Sequence, residues 1–353
     1  MSTPRDEPIR FGIVGCGVVA PTHAVALDGI VEAKLIAVAD ASRNRAETFA
    51  KEFRVPRVYN DYRELLQDPE IDAVTICTPH HLHAPIAIAA AQHGKHVLVE
   101  KPMATSLEDA DRMIAACERA GVRLGVVFQH RFDPAVRYVK RLVEEGDLGR
   151  IALASVYVKW FRTQDYYDPD SWRGKWATAG GGALINQAIH AIDVLLWIMG
   201  DVERLSGYYD ALVHAIEVED TAVASLRFVS GALGVVEAST TTYPQTPERI
   251  EIAGSRGTVA IAGEEIVRHE LAGRGADIPD IHAGDPRFRG KSYYGASHPR
   301  LVEDFVHALL EGRPPLVDGH QGRRVLEVIF GIYESCRTGR EVVLRPKGEG
   351  GSW

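Results

Sequence analysis

A lysine stands where an apolar segment gives way to polar sequence: Glu100-Lys101-Pro102 directly follows the run His96 to Val99. The run predicts a short buried strand, and in open α/β sheets ligands bind where strands end. An amine in such a place can polarise a hydroxyl oxygen and help to move its proton. We therefore expect Lys101 to be a catalytic, substrate-binding and cofactor-binding residue.

A histidine lies in a predicted helix that is otherwise almost entirely apolar. The triplet Gly180-Gly181-Gly182 precedes this helix, and Asn186 stands four residues before His190. Residues four apart share one face of an α-helix, and burying polar groups without partners costs about 1–3 kcal/mol. A satisfied core histidine would explain His190 alone. With Asn186 and the glycines beside it, we favour a site in which His190 is catalytic and both residues bind substrate.

A glycine-rich turn near the N-terminus predicts a dinucleotide site. The turn follows the apolar strand Ile9 to Val14, opens a helix and has the pattern G-x-G-x-x-A, formed by Gly15, Gly17, Val18, Val19 and Ala20. In such turns backbone N–H groups approach a pyrophosphate, and the helix N-terminus adds the positive end of its dipole. We expect these five residues to bind the cofactor.

Asp40, at the end of the next predicted strand, is the expected partner of the cofactor ribose. An aspartate there accepts hydrogen bonds from ribose hydroxyls and repels a ribose phosphate, which favours NAD over NADP. Arg43 could instead bind such a phosphate, so NADP stays possible. In the alternative interpretation, Asp40 and Ser42 only cap the helix that begins near Arg43.

A histidine-rich segment follows the fourth predicted strand, at the sheet edge where ligands bind. It contains four expected cofactor-binding residues: Thr78, Pro79, His80 and His83. Its three histidines could suggest a metal, but no adjacent carboxylate or cysteine completes a ligand set, so we predict no metal site. His83, near the start of a helix, is interpreted as a cofactor-binding or structural residue.

Residues 160–176 concentrate aromatic rings around an arginine. Tyr166 and Arg173 are expected to bind substrate, and Trp172 and Arg173 to contact the nicotinamide or a phosphate. An ordinary packed loop is an equally consistent interpretation.

Two blocks of secondary structure would position these residues. The first third of the chain alternates short apolar strands with helices, which predicts a parallel sheet covered on both faces. From residue 151 longer strands follow one another with hairpin signals, as at Gly254-Ser255-Arg256-Gly257, which predicts a mostly antiparallel sheet. The expected fold is α/β, with a dinucleotide-binding Rossmann domain over residues 1–130 and an α/β domain with an open sheet over residues 131–353.

Composition excludes several partners. The 353 residues carry a formal net charge of −8 with scattered Lys and Arg, so neither nucleic acid nor an anionic membrane is an expected partner. The four cysteines lie far apart, and the first residues lack an apolar signal core, which predicts a cytoplasmic protein. The apolar segment 188–199 is shorter than the roughly 20 residues that span a bilayer, so we predict a buried helix.

Taken together, these motifs resemble the glucose–fructose oxidoreductase and inositol dehydrogenase family (Gfo/Idh/MocA). The similarity rests on the dinucleotide turn, Thr-Pro-x-x-x-His at residues 78–83, Glu-Lys-Pro, and the glycine-rich loop before the histidine helix, and it covers nearly the whole chain. It implies NAD(P)-linked oxidation or reduction of a sugar or cyclitol carbon. It also implies a C-terminal domain that binds substrate and assembles a homodimer or homotetramer, with Glu100 and Gln129 at the cofactor.

The chain departs from the family at one position. Family members carry a carboxylate four residues before the histidine, where this chain has Asn186. An amide can bind a hydroxyl but cannot take up a proton, which leaves His190 and Lys101 as the acid–base candidates.

We expect an NAD-dependent dehydrogenase of a sugar, cyclitol or polyol. Three alternatives stay open: a nucleotide-sugar dehydrogenase or ketoreductase with tightly held cofactor, redox-neutral chemistry assisted by transient oxidation, and a non-catalytic regulator that senses NAD(H).

Overall fold

The computed structural model describes residues 7–168, 171–273, 281 and 297–344, which form two compact units. The first unit takes its residues from 1–129 and 284–323, and the second from 130–283 and 324–353.

The first unit is built on a six-stranded parallel sheet. Its strands have the spatial order β3-β2-β1-β4-β5-β6, which is the doubly wound dinucleotide-binding arrangement. The strands are β1 Ile9–Val14, β2 Ala33–Ala39, β3 Arg57–Tyr59, β4 Ala73–Ile76, β5 His96–Val99 and β6 Leu124–Val126. The helices between them are α1 Ala20–Asp28, α2 Arg43–Phe53, α3 Tyr62–Gln67, α4 His83–Gln92 and α5 Leu107–Ala120. The predicted Rossmann fold is confirmed.

Local sequence explains these elements. All four residues of β4 are buried, as expected for a parallel strand covered on both faces. The hydroxyl of Ser106 caps α5 by accepting a hydrogen bond from the Asp109 N–H at 3.1 Å. Gly121 ends that helix in the left-handed region, with φ of 67°. Both ends of α5 are therefore specified by its own sequence.

One C-terminal helix, α9 His298–Glu311, also belongs to the first unit. It packs against α1, and the ring of Phe305 meets that of Phe11 edge-on at 6.4 Å between centroids. We had placed this segment in the domain 131–353. The grouping differs because apolar contacts decide it, and these are not visible from chain order.

The second unit is built on an eight-stranded mixed sheet with the order β13-β12-β11-β7-β10-β9-β8-β14. Among the described strands of this second sheet, only β7 and β10 pair in parallel, so the predicted mostly antiparallel sheet is confirmed. The strands are β7 Ile151–Lys159, β8 Val202–Asp210, β9 Thr221–Phe228, β10 Leu233–Ser239, β11 Arg249–Gly254, β12 Gly257–Ala262, β13 Glu265–Leu271 and β14 Val342–Val343. Neither β13 nor β14 was anticipated from the sequence.

The remaining helices are α6 Pro134–Glu144, α7 Trp176–Ala179, α8 Ile189–Met199 and α10 Gly319–Thr338, of which residues from 324 onward lie in the second unit. A π-helix, Ala183–Ala188, leads directly into α8. By length and apolar composition the stretch Trp176–Met199 resembles a membrane span, but 83% of the 18-residue segment that gives it this apolar character is buried within the protein. It is a core helix, as predicted for residues 188–199.

Along the sheet, buried and exposed residues alternate, as in the strand β9. One face therefore packs on the helices, and the other carries exposed apolar residues: Leu153, Val223 and Leu233.

Candidate active site

The glycine-rich turn brings three strand ends of the first unit together. Gly15 has φ of +92°, and a Cβ atom there would lie 2.8 Å from the carbonyl carbon and oxygen of Cys77. Its N–H donates to the Ala39 carbonyl at 2.8 Å. No side chain among the described residues caps α1, whose N-cap is Val19. The positive end of this helix dipole, directly after a turn that allows close backbone approach, fits a dinucleotide pyrophosphate.

Asp40 fastens this turn to the second strand. One carboxylate oxygen accepts the Cys16 N–H at 2.9 Å and the other accepts the Ser42 N–H at 2.8 Å. Ser42 itself caps α2 by accepting the Arg45 N–H at 3.4 Å. Carboxylate oxygens have further lone pairs, so Asp40 can still accept from a ribose.

Arg43 lies on the exposed side of α2 and forms no ion pair with Asp40 within the described part of the chain, whereas the Arg45 guanidinium lies 3.7 Å from that carboxylate. Its guanidinium pairs with Glu47 one turn later, 2.7 Å from the carboxylate oxygen, and its side chain is 75% exposed. The sequence had left open a role for Arg43 beside a ribose phosphate.

Polar atoms at the end of β4 also fit a ligand. The hydroxyl of Thr78 and Nδ1 of His81 are buried and have no hydrogen-bond partner within the part of the chain that the structure describes. Such atoms are costly unless a bound molecule or water satisfies them. Pro79 and the buried His80 belong to the same turn, and buried Gln129 ends the first unit. The residues present thus fit a bound NAD.

Both ring nitrogens of His83 contact backbone carbonyl oxygens. Its Nδ1 lies 2.7 Å from the Pro102 carbonyl oxygen and its Nε2 lies 2.8 Å from that of Thr78. Complete burial lowers the pKa of this imidazole. His83 therefore joins two loops, which matches the structural interpretation of this residue.

Lys101 follows a buried polar cluster. The Lys101 N–H donates to one carboxylate oxygen of Glu100 at 3.2 Å, and the other oxygen lies 2.9 Å from Nε2 of His23 and 3.8 Å from Nε2 of His298. Thr75 contacts the second ring nitrogen of His23 at 3.1 Å. We had expected Glu100 at the cofactor, whereas its carboxylate is committed to this cluster.

The cluster is electrostatically matched. Burial alone would raise the pKa of Glu100, but His23 and His298 hold it well below its usual range. Burial would lower the pKa of His23, whereas its contacts with Cys77 and Glu100 raise it to about 10. These three residues also have metal-ligand spacing, with ligand atoms within 4.8 Å of one another. The direct hydrogen bond between His23 and Glu100 already satisfies two of these ligand atoms, so the predicted absence of a metal stays our interpretation.

In the second unit, the expected substrate residues meet around one phenol. The Tyr166 hydroxyl accepts from the amides of Asn186 at 3.1 Å and Gln187 at 3.2 Å. The guanidinium of Arg173 lies 5.0 Å from the Tyr166 ring centroid and 4.4 Å from that of Trp172. The loop and the helix thus form one polar and aromatic surface.

Asn186 lies in the π-helix and half-buried His190 in α8, so the α-helical spacing used to relate them does not hold. π-helical turns are rare and are frequent at functional sites. Asp193 is turned away into a fully buried ion pair with Arg131, at 2.5 Å.

The glycine triplet is fixed by a residue that sequence reasoning missed. Glu219 accepts hydrogen bonds from the N–H groups of Gly182 and Leu184 and from the Tyr333 hydroxyl, at 2.8, 2.9 and 2.8 Å. A Cβ atom on Gly182 would lie 1.8 Å from the Glu219 carbonyl oxygen. Burial raises the pKa of Glu219 to about 7 despite these donors. The acidic pair Glu219-Asp220 directly before an alternating strand was the available signal.

A second missed group touches His190. The ring of His130 stands edge-to-face against the His190 ring, with 5.2 Å between centroids and 84° between planes. Nδ1 of His130 lies 2.6 Å from a carboxylate oxygen of Asp133. Asp133 directly precedes α6 but makes no side-chain cap.

Comparison with known proteins agrees with this architecture. Residues 9–128 match the family described as "Oxidoreductase family, NAD-binding Rossmann fold", and residues 136–260 match the Gfo/Idh/MocA C-terminal domain. The chain is 30% identical to the myo-inositol 2-dehydrogenase of Thermotoga maritima, over 95% of this chain and 98% of the relative. It is 31% identical to the scyllo-inositol 2-dehydrogenase (NAD(+)) of Bacillus subtilis, over 97% and 98%.

Among solved structures, the WlbA dehydrogenase of Bordetella pertussis in complex with NADH and UDP-GlcNAcA is similar, with a TM-score of 0.89. It is 37% identical and the match covers 96% of this chain and 99% of that one. The protein therefore belongs to the Gfo/Idh/MocA family and is an NAD-binding oxidoreductase.

Proposed function

We propose that the protein oxidises a carbinol carbon of a sugar, cyclitol or polyol with NAD as its cofactor. The observation that carries this proposal is the surface formed by Tyr166, Arg173 and Asn186 on the unit that holds His190. Hydrogen-bonding groups beside aromatic rings suit a ligand with many hydroxyls and apolar C–H faces. The inositol dehydrogenases named among the relatives act on molecules of this class.

The first unit would hold the cofactor. We assign the pyrophosphate to the turn Gly15 to Ala20, the ribose to Asp40, and the nicotinamide half to the β4 edge with Thr78, Pro79 and His80. When bound, NAD⁺ supplies the acceptor for the hydride of the carbinol carbon.

Two side chains would handle the hydroxyl. Lys101 polarises its oxygen, and His190 accepts its proton in the neutral form. Asn186 binds a substrate hydroxyl and moves no proton, because an amide has no acid–base capacity near neutral pH. Trp172 and Arg173 orient the substrate and the nicotinamide end of the cofactor, and Gln129 contacts the cofactor.

A nucleotide sugar is the second candidate substrate. WlbA, solved with UDP-GlcNAcA, shares more sequence identity with this chain than the inositol dehydrogenases do. Arg173 stands between the rings of Tyr166 and Trp172, and a cation flanked by aromatic faces suits a pyrophosphate and a stacked base.

The test is a panel of sugars, cyclitols, polyols and UDP-sugars, UDP-GlcNAcA included, mixed with the protein and NAD⁺ while the absorbance of the reduced cofactor is followed. Net cofactor reduction by a member of one class supports that class. A transient spectral change without net turnover would instead indicate redox-neutral chemistry, and cofactor binding without any reaction would indicate a regulator.

We further propose that the protein assembles with a second copy, as a homodimer or homotetramer, through the exposed sheet face with Leu153, Val223 and Leu233, and that it acts in the cytoplasm without nucleic acid or membrane partners. Light scattering after size exclusion tests the assembly, because Val223→Lys should then yield monomers.

A further inference from the structure

The side chain of His130, in the second unit, is held in one orientation by its surroundings. Its side chain is 17% exposed, and the bond from Nδ1 to Asp133 fixes its rotation. One carboxylate oxygen of Asp133 accepts this bond, and the other is buried without a hydrogen-bond partner among the described residues. Among the described residues, His130 is the side chain that hydrogen-bonds to the Asp133 carboxylate. A buried pair of this kind is stable when the imidazole is positively charged.

The charges around the pair favour that form. Burial alone would lower the pKa of His130, but the charge and hydrogen bond of Asp133, with weaker contributions from Glu248 and Glu264, raise it to about 9. The neighbouring Arg131 is neutralised by its own ion pair with Asp193, so it adds little positive charge.

We propose that His130 is a positioning residue for His190: its ring, held by Asp133, sets the orientation of the His190 imidazole and, as a cation, keeps His190 in the neutral form that accepts a proton. The proposal rests on the proposed function of His190. It is carried by the edge-to-face contact at 5.2 Å and by the 2.6 Å bond behind it.

His130 and His190 would carry like charges if both rings were protonated. A second positive charge on His190 would stand beside the first, so protonation of His190 is opposed. Asp133 faces His130 from the side of its Nδ1 atom and partly offsets this effect. On α8 the charged neighbour of His190 is Asp193, which is already paired, and Asn186 is neutral. Replacing His130 removes its charge and leaves Asp193, Asn186 and the proposed catalytic Lys101 unchanged.

The experiment measures His190 directly. Protein with isotope-labelled histidine rings is titrated by NMR, with the His190 signal identified by its loss in His190→Gln. In His130→Gln we expect the titration midpoint of His190 to rise by about one pH unit. Asp133→Asn, which leaves the ring in place but removes the carboxylate that keeps it charged, should move the midpoint in the same direction by less.

Activity gives a second measure. The acidic limb of the kcat/KM profile for oxidation should move to higher pH by the same amount in His130→Gln, with NAD affinity unchanged. The matched control is His93→Gln, an exposed histidine at the end of α4, which should leave both measurements unchanged.

The outcomes separate the two proposals. An unmoved midpoint in both His130→Gln and Asp133→Asn would overturn the role of His130, whether or not wild type is active. If the midpoint moves but wild type reduces no cofactor with any substrate of the panel, the contact stands and the proposed function fails. Should His130→Gln not fold, Asp133→Asn alone decides the question.

Discussion

The edge of the parallel sheet in the first unit and the histidine helix in the second unit differ in how their candidate residues are positioned. At the sheet edge the candidate residues Gly15, Asp40, Thr78 and Lys101 all follow ends of parallel strands. In the second unit Asn186 and His190 lie on a π-helix and an α-helix, and their partners Tyr166 and His130 come from distant segments. A site at strand ends follows from chain order, whereas a helix site depends on what packs against it.

Lys101→Ala should have the largest effect. General acid–base groups contribute roughly a hundred- to ten-thousandfold, so we expect turnover to fall by that factor. Cofactor binding should survive largely intact although Lys101 is expected to contact the cofactor, because the turn that would bind the pyrophosphate is unchanged. Turnover and NAD affinity are measured side by side. The exposed Lys51→Ala on α2 is the control, and near-normal turnover in Lys101→Ala would remove this lysine from the proposed chemistry.

Glu100→Gln tests whether the sheet edge depends on its buried ions. Removing one partner of a buried pair costs about 3–5 kcal/mol, which should appear as a lower free energy of unfolding. In wild type the contribution of Glu100 is present above pH 4.5 and that of His23 below pH 6.5, and the latter is lost as pH rises towards about 10.

Wild type should therefore lose stability between pH 6.5 and 10, and Glu100→Gln should lose less over that range. Denaturant unfolding at several pH values measures both. Glu118→Gln, which breaks an exposed pair with His320, should cost less than about 1 kcal/mol. Equal stability of Glu100→Gln and wild type would show that the cluster is not an ion pair.

Glu219→Gln tests the glycine turn that leads into the histidine helix. An amide N–H would face the donors of Gly182, Leu184 and Tyr333, so we expect a loss of about 1–3 kcal/mol at pH 5. Because the pKa of Glu219 is raised to about 7, its contribution in wild type is present below pH 4.5 and is lost as pH rises through 7. The difference between variant and wild type should thus narrow at pH 8.

The same variant should lower turnover more than its stability loss explains, because Glu219 fixes the turn that leads into the π-helix. Activity is measured well below the unfolding temperature. Full turnover in a destabilised Glu219→Gln would show that the turn fixed by Glu219 contributes to stability and not to activity.

Asp40→Ser has the smallest expected effect and concerns cofactor choice. The substitution should weaken NAD binding and lower the preference for NAD over NADP by about tenfold, or about 1.4 kcal/mol. The ratio of kcat/KM for the two cofactors measures this. A wild-type preference for NADP would assign the selectivity to Arg43 instead.

The sequence predicted the sheet edge well because each of its signals is local. The glycine turn and the end of β5 need only their neighbours in the chain. Tyr166, Arg173 and Asn186 were all expected to bind substrate, and the structure brings these three side chains together, while their roles stay predictions.

What it missed depends on distant contacts. The hydrogen bonds of Glu219 to the Gly182 N–H and the ring contact of His130 with His190 join segments far apart in the chain. The π-helix departs from the α-helical periodicity that was used to read this segment. Asp133 was missed for another reason. Aspartate before proline is a normal helix start, and the spacing of three residues from His130 was the signal that could have indicated their pairing.

The buried ring of His83 has one more consequence. Both of its partners, the carbonyls of Thr78 and Pro102, are acceptors, and a neutral imidazole carries a single N–H. The neutral ring can therefore donate a hydrogen bond to the carbonyl of only one loop at a time. The carbonyl of the other loop then faces the lone pair of the second ring nitrogen. The tautomer of His83 decides which loop is tied, so one internal proton links the segment after β4 to the segment that carries Lys101.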